Sequence, residues 1–467
     1  MLDSSHAASL PVETHEGIAP VAVGGPGETA HLVADSLRAT ILRVALPAVA
    51  SSLLMTLFSS VDAFWVGTKI GAAGLAAVST SLFWIWMIIS LAEMVGVGLT
   101  AVAARRFGEG RSAEASRIAG DALVFSVVLG IGVAGAGIVE LPKLFALMQT
   151  PAEVTALGHV YLRMFLFGTP LIYGFFAIDA AFRASGDTRT PFVLLLASVA
   201  ITLVLDPILI LGLGPFPKLG IAGAAVATIG TRSAAFVMGI TIAIKRGLVR
   251  FGPLRIESIR AVCRVGLPTA VTGVTFSLIY IFLTRTTTRF GTPALAALGI
   301  GHRVESWLFM IGVGFGAATA AIVGQNLGAG RADRASRAGW MATAFCTALG
   351  VVACVLELTA PRQFASLFTN DPAVIAEAVK YLRIASISQL AVCAEIVLEG
   401  ALGGAGDTVP PMLTSTALTA SRVPLAAWAA TRWGSAGIWW VISLTAIGRG
   451  VAMIVLWRRG GWKHRIV

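Results

Sequence analysis

Twelve apolar segments, each long enough to cross a lipid bilayer, constrain the fold of this chain more than any other feature. They fall at residues 39–66, 78–104, 118–140, 157–182, 191–214, 219–244, 261–290, 295–323, 338–360, 380–403, 410–432 and 436–457. A helix needs about 20 apolar residues to span the hydrocarbon core of a membrane. The sequence therefore predicts an all-α polytopic membrane protein with twelve transmembrane helices.

The composition supports a membrane protein and excludes several other classes. Charged residues make up 13% of the 467 residues and hydrophobic residues 56%, whereas a soluble protein has about 25% charged residues. The net charge of +11 is spread over short loops between the apolar segments, so it does not indicate a nucleic-acid partner. The four cysteines have no metal-binding spacing, and we expect no cofactor.

The basic residues mark one side of the membrane. Arginine and lysine are concentrated in the loops after the even-numbered segments and at the C-terminus, at 105–117, 183–189, 245–264, 331–337 and 458–465. Short loops that are rich in these residues stay on the cytoplasmic side. We therefore expect a multi-pass protein of the cell inner (plasma) membrane with both termini in the cytoplasm.

The second half of the chain repeats the first at an offset of about 220 residues. FGEGRSAEASR at 107–117 aligns with LGAGRADRASR at 327–337, and the Gly-Asp-Thr triplet at 186–188 aligns with the one at 406–408. Each half contains six segments, so both halves enter the membrane from the same side and are related by a pseudo-two-fold axis along the membrane normal. Two such lobes with a cleft between them are typical of a transporter.

The repeat sets the expected domain boundaries. They are a disordered cytoplasmic tail at 1–35, an N-lobe at 36–245, a cytoplasmic linker at 246–260, a C-lobe at 261–460 and a basic cytoplasmic tail at 461–467. The first 35 residues are rich in Pro, Gly and Ala and contain no Lys or Arg. They lack the basic start and apolar core of a signal peptide, so we expect a disordered tail.

The repeated motifs resemble those of the multidrug and toxic compound extrusion (MATE) family. The resemblance rests on LPAVASSLLMTLFSSVDAFWVG, ARRFGEGR, FRASGDTRTP, LGIAGAAVAT, VGQNLGAGR and GGAGDTVPP, in that order along nearly the whole chain after the tail. It implies a twelve-helix, two-lobed exporter that exchanges H⁺ or Na⁺ for organic, often cationic compounds. Within the family, the acids resemble the DNA-damage-inducible protein F-type branch, whose second N-lobe carboxylate matches Asp206. Another branch has acids in its seventh and tenth helices. Here the seventh carries Arg285 and no acid, whereas the tenth holds Glu395 and Glu399.

Asp62, inside the first apolar segment, is the main candidate for ion coupling. A charge at membrane depth costs on the order of 3 kcal/mol, so such a residue usually faces a cavity or a partner. A rise of 1.5 Å per residue places Asp62, Asp206, Tyr161 and Thr228 roughly 10–12 Å from the outer side. Pro207 frees a carbonyl one turn before it. Together, these carboxylate, hydroxyl and carbonyl oxygens indicate a cation-coupling site that binds Na⁺ or a shared proton. If the ion is Na⁺, we expect it at Asp62 and Asp206.

Two departures from the family pattern favour H⁺ over Na⁺. Thr202 lies one turn before Asp206, where the resemblance implies an asparagine, and Met55 occupies the region of an expected glutamine. A hydroxyl is a weaker cation ligand than a carboxamide, and two close carboxylates can share a proton. The repeat mate of Asp62 is Leu283, so we expect the ion site in the N-lobe alone.

Four further charged residues within the segments are candidates for substrate contact in the cleft. They are Glu305, Arg285, Glu399 and Asp179. A structural alternative stays open for each acid: Asp179 has Arg183 four residues later, the spacing of a local ion pair, and Glu305 has basic neighbours.

The expected function is secondary active antiport of amphipathic organic compounds by alternating access of the two lobes. No Gly-Lys phosphate-binding loop and no cluster of nucleophile, base and metal ligand is present, so neither ATP-driven transport nor an enzyme is expected. A lipid-linked oligosaccharide flippase of the same superfamily, favoured by Arg285 and Arg422, and a non-transporting membrane scaffold are the alternatives. The expected partners are small-molecule substrates, H⁺ or Na⁺ and the lipid bilayer, with the chain as a monomer.

Overall fold

The computed structural model describes residues 32–33, 35–70, 72–148 and 152–465, apart from the side chains of 60–64, 67, 72–73, 75–76, 83, 146–148 and 281. In the first half, the helices are α1 (Leu37–Lys69), α2 (Ala72–Gly108), α3 (Ser112–Met148), α4 (Ala152–Ser185), α5 (Arg189–Leu211) and α6 (Ile221–Lys245). In the second half, they are α7 (Ile256–Thr288), α8 (Gly291–Gly328), α9 (Ala332–Thr359), α10 (Pro361–Ser366), α11 (Pro372–Ser386), α12 (Gln389–Gly404), α13 (Val409–Ala420) and α14 (Arg422–Arg459).

The helices of the described ranges account for the twelve predicted spans. Each of α1 to α9 is long and apolar enough to cross a membrane, and α11 with α12 forms a tenth span that is bent by 56°. The stretch Val409–Arg459 is 51 residues long, more than twice the length that one span needs. Gly434 breaks it with φ 61° and ψ −146°, a conformation open to glycine, so this stretch supplies the last two spans.

The two halves are joined by a pair of helices, α1 and α7, which we call the crossover helices. The start of α1 packs against the other half, where Ile41 and Val44 share a buried cluster with Phe315 of α8. Farther along, Phe58 of α1 packs in its own half, against Leu195 of α5. Each crossover helix therefore spans from one lobe to the other.

The second crossover helix repeats this arrangement. Val262 and Val265, near the start of α7, pack with Leu99 of α2 in the first half. Leu283, near the end of α7, packs with Leu298 in the second half. A shift of either lobe must therefore move or bend α1 and α7.

The lobes meet closely at the end of the bundle that carries the loops 105–114, 183–190, 246–255, 326–337 and 459–465, which we call the basic end. A Cβ added to Gly108 would lie 2.0 Å from the carbonyl oxygen of Gln325, and one added to Gly328 would lie 2.1 Å from that of Arg105. Only glycine allows backbones of the two halves to approach this closely. The cleft is therefore closed at the basic end.

The first and last segments of the described chain lie at the basic end. The Arg334 guanidinium donates to the backbone carbonyl of Asp35, and Lys463 Nζ lies 3.2 Å from a carboxylate oxygen of Asp333. Because Asp333 and Arg334 are consecutive, Asp35 and Lys463 lie on the same side of the bundle. An even number of spans requires this arrangement.

Residues 32–33 and 35, at the end of the expected tail, pack against the bundle. Residues 1–31 of the expected tail lie outside the described residues, but Leu32 is only 3% exposed. Asn326 Nδ2 donates to the Leu32 carbonyl at 3.3 Å, and Arg331 donates to the Val33 carbonyl at 2.8 Å. A buried leucine and two backbone carbonyls thus dock these residues on the C-lobe, and the disorder of the rest of the tail stays a prediction.

Helical structure begins within two of the other expected segments. α7 begins at Ile256, inside the expected linker 246–260. In the expected basic tail 461–467, Gly461–His464 form a 3₁₀ turn, and the Trp462 ring stacks on Trp457 with 3.9 Å between centroids. An aromatic stack therefore anchors this end of the chain to α14.

The repeated Gly-Asp-Thr triplets fasten the crossover helices. Thr188 Oγ1 donates to the Val44 carbonyl of α1 at 2.8 Å, and Thr408 Oγ1 donates to the Val265 carbonyl of α7 at 2.7 Å. Each carbonyl lies three residues before a proline inside its helix, Pro47 or Pro268. The repeat therefore places the same threonine-to-carbonyl hydrogen bond, which we call a clasp, once in each lobe.

Candidate functional site

Three polar side chains lie on one buried face of α5. Ser198, Thr202 and Asp206 are spaced by four residues, so they follow each other along one side of the helix, and Asp206 is 0% exposed. Pro207 comes next and has no N–H to donate to the carbonyl of Leu203. A carboxylate and a carbonyl without its usual intrahelical donor supply the oxygen ligands that a proton or a hard cation requires.

A pair of threonine hydroxyls joins this face of α5 to α6. Thr202 Oγ1 and Thr231 Oγ1 are 2.6 Å apart, so one hydroxyl donates to the other. Thr202 Oγ1 also lies 2.8 Å from the Ser198 carbonyl and Thr231 Oγ1 lies 2.9 Å from the Ala227 carbonyl, and the hydroxyl that accepts donates to its own carbonyl. The Thr202 hydroxyl is therefore hydrogen-bonded to α6 and is not an isolated cation ligand on α5. The sequence predicted a role for Thr228 of α6 but not for Thr231. The spacing of three residues, which puts Thr231 on nearly the same side of α6 as Thr228, could have indicated it. Thr228 is partly buried, and its carbonyl lies 3.2 Å from Thr231 Oγ1.

The remaining members of the predicted cation-coupling set lie on α1 and α4. Tyr161 of α4 is buried in a cluster that includes Val66 of α1, Ile210 of α5 and Ile221 of α6. Asp62 belongs to α1, but its side chain lies outside the described residues. The four helices that carry the predicted set thus meet in one cluster, and the roles of Asp62 and Tyr161 stay predictions.

Arg232 is a charged side chain of the N-lobe interior that the sequence analysis overlooked. It is 8% exposed, its Nη2 lies 2.9 Å from the Met55 sulfur of α1, and its guanidinium carbon lies 5.8 Å from the centroid of the Phe58 ring. The signal in the sequence was one arginine in the middle of the sixth apolar segment. Arg232 follows Thr231, so α6 carries the hydroxyl and the cation at consecutive positions.

The predicted substrate-contact residues have different surroundings. Asp179 forms an ion pair with Arg183 at 2.9 Å, which is the structural alternative. Arg285 is exposed near the end of α7, and in the described part of the chain it forms no ion pair with Glu305. Glu399 is partly buried, one turn beyond the buried Glu395.

The C-lobe contains its own network of polar groups. Glu305 Oε2 accepts a hydrogen bond of 2.9 Å from the Tyr381 hydroxyl, and Tyr381 is the repeat mate of Tyr161. Glu395 pairs with Arg449 at 2.7 Å, and Gln389 donates to Glu357 at 3.0 Å. The C-lobe therefore has buried carboxylates of its own, each with a partner, and the restriction of the ion site to the N-lobe stays a prediction.

A family model for MatE matches residues 47–208 and 268–428, one stretch in each half of the chain. The chain belongs to the MATE family. The members of this family are transporters and not enzymes, so the predicted class of protein is confirmed. The assignment to the DNA-damage-inducible protein F-type branch stays a prediction.

Curated relatives and solved structures agree with this assignment. A probable multidrug resistance protein NorM of Deinococcus radiodurans is 31% identical over 409 residues, covering 84% of this chain and 87% of the relative. An FAD transporter of Shewanella oneidensis is 28% identical over 349 residues, covering 74% of this chain and 77% of the relative. An aspartate-to-asparagine mutant of the Vibrio cholerae MATE transporter VcmN matches with a TM-score of 0.85 and 21% identity, covering 94% of this chain and all of that one.

These matches confirm the predicted fold class of twelve transmembrane helices in two lobes. The coarse function is confirmed with it: this chain is a multi-pass membrane transporter of the MATE family.

Proposed function

We propose that this transporter is a secondary active antiporter that exports amphipathic organic compounds across the cell inner membrane in exchange for H⁺, with Na⁺ as the alternative ion. Asp206 carries the proposal, because it is a fully buried carboxylate inside a membrane-spanning helix, five residues before the last residue of α5. An ionisable group at that depth is costly and is kept where it handles an ion. Relatives named multidrug resistance proteins and an FAD transporter support an organic cargo.

The crossover helix α1 links the ion site to the position of the lobes. Its start packs on the C-lobe through Val44, its later part packs on α5 through Phe58, and Pro47 lies between these two contacts. A proline inside a helix removes a backbone hydrogen bond and allows bending. Binding of a cation between α1 and α5 would remove negative charge there and let α1 repack about Pro47.

The closed basic end supports an outward-facing state of this proposed exporter. Loops rich in arginine remain on the cytoplasmic side, so the basic end and both termini face the cytoplasm in this proposal. The close approach of Gly108 and Gly328 to the opposite lobe then seals the cleft from the cytoplasm. In this state, a cation from outside reaches Asp206, and its binding releases the exported compound outward.

Asp206→Asn tests the coupling, because it removes the titratable group and keeps the size of the side chain. We expect dye efflux from proteoliposomes, driven by an imposed pH gradient, to fall by about tenfold or more. Asp333→Asn is the matched control, since the Asp333 side chain is 93% exposed at the basic end. If folded Asp206→Asn transports dye at the rate of the unmodified protein, the proposal is wrong. If the unmodified protein transports dye under a Na⁺ gradient but not under a pH gradient, the coupling ion is Na⁺ and not H⁺.

A further inference from the structure

Arg232 lies deep within the membrane-spanning part of the N-lobe. It is 11 residues from the first residue of α6, Ile221, and 13 from the last, Lys245, or roughly 16 Å and 20 Å along the helix. The guanidinium has five N–H donors and no acceptor. In the described part of the chain, its contacts are the Met55 sulfur at 2.9 Å and the Phe58 ring at 5.8 Å, with no carboxylate within 4.0 Å.

Other interior arginines of the described ranges have oxygen partners. These are Arg183 with Asp179 at 2.9 Å, Arg449 with Glu395 at 2.7 Å, and Arg422 with Thr445 Oγ1 at 2.7 Å. A thioether sulfur is only a weak acceptor, so Arg232 keeps hydrogen-bonding capacity that its neighbours do not use. A buried cation in this condition is costly to the fold, and a ligand that supplies oxygens would remove that cost.

We propose that Arg232 binds a negatively charged group, a carboxylate or a phosphate, on the amphipathic compound that the transporter carries, an inference that rests on the proposed function. A guanidinium holds such groups through two parallel hydrogen bonds. The surroundings suit the rest of an amphipathic molecule, since Met55 and Phe58 lie in an apolar cluster with Leu54 and Leu203. A methionine adapts its shape to different apolar ligands.

Two dyes that share a xanthene ring and differ in charge make the test specific. The purified full-length protein is titrated in detergent with anionic fluorescein and with cationic rhodamine 6G, and binding is followed by fluorescence anisotropy. We expect Arg232→Gln to weaken fluorescein binding by about tenfold or more, and to leave rhodamine 6G binding within about twofold. Arg232→Lys retains the charge but loses the paired donors, so an intermediate affinity is expected.

Arg163→Gln is the matched control. Arg163 also lies over a phenylalanine ring, with 5.9 Å from its guanidinium carbon to the Phe167 centroid, but its side chain is exposed on α4. Fluorescein should bind this variant and the unmodified protein equally. Gel filtration and thermal unfolding of every variant verify that it is folded.

A second variant tests the same site if Arg232→Gln does not fold. Met55→Glu places a carboxylate where the sulfur now contacts the guanidinium, so it should pair with Arg232 and weaken fluorescein binding to the same extent. The proposal is overturned if the unmodified protein does not bind fluorescein. It is also overturned if folded Arg232→Gln or Met55→Glu binds fluorescein with unchanged affinity, or if Arg232→Gln weakens the binding of both dyes equally. Fluorescein binding without gradient-driven efflux would refute antiport and leave the assignment of Arg232 intact.

Discussion

Several charged side chains in the described part of this bundle are held by another residue of the same lobe. Glu395 pairs with Arg449, and the two side chains are only 6% and 12% exposed. Glu357 accepts both of its hydrogen bonds from Gln389. An acid in an apolar segment is therefore insufficient evidence for a transport role, because partners from distant helices decide whether it is free to bind a ligand.

Breaking the buried pair should destabilise the protein more than breaking an exposed one. Arg449→Met leaves the Glu395 carboxylate buried without its cation, and we expect a loss of about 3 kcal/mol of unfolding free energy. Glu140→Gln breaks the pair of Glu140 with Lys143, which are 48% and 77% exposed, and should cost less than about 1 kcal/mol. Denaturant unfolding in micelles measures both.

A double variant separates charge pairing from packing. Glu395→Gln combined with Arg449→Met removes both charges, so most of the stability lost in Arg449→Met should return. If the double variant is as unstable as Arg449→Met, the loss comes from packing and the ion pair does not explain it.

At the scale of whole elements, the repeat produces two equivalent joints. The Thr188 hydroxyl fastens α1, and the Thr408 hydroxyl fastens α7, each to a carbonyl three residues before a proline. Each clasp fixes the part of a crossover helix that lies against the opposite lobe. The helices can therefore bend beyond the clasp while their starts stay in place.

Replacing the clasp hydroxyls by methyl groups tests this equivalence. Thr188→Val and Thr408→Val should each lower the unfolding free energy by about 1 kcal/mol, the net value of one hydrogen bond. The double variant should lose about 2 kcal/mol, because distant sites act additively. Thr241→Val is the control, since its exposed hydroxyl donates within its own helix to Val237. Equal effects at Thr188 and Thr241 would show that the clasps contribute nothing.

For the whole molecule, local sequence patterns predicted the transmembrane spans. The bend between α11 and α12 and the side-chain contacts between distant helices depend on long-range packing and could not be predicted. The gap between the last two apolar segments coincides with Gly434, which breaks the helix there. The 56° bend between α11 and α12 has no comparable signal, because neither Gly nor Pro lies at Ile387 and Ser388. The contact of Arg232 with Met55 joins residues 177 positions apart, so hydropathy could not predict it.

The N-terminal segment bridges the two lobes when the basic end is closed. The carbonyl of Leu32 accepts from Asn326 of the C-lobe, and a Cβ added to Gly186 of the N-lobe would lie 2.9 Å from the Leu32 side chain. Burying a leucine contributes about 1.5–3 kcal/mol. This contribution is lost when the lobes part at that end, so Leu32 stabilises the closed state relative to an open one.

Leu32→Glu should therefore shift the lobes toward opening at the basic end. A change of about 1.4 kcal/mol raises the ratio of open to closed molecules about tenfold. Spin labels at Ala113 and Asp333, exposed repeat mates in opposite lobes, report the separation by pulsed electron resonance in a cysteine-free background. Leu254→Glu is the control, because Leu254 is an exposed leucine of the linker between the lobes. If both variants give the distance distribution of the unmodified protein, Leu32 does not hold the basic end closed.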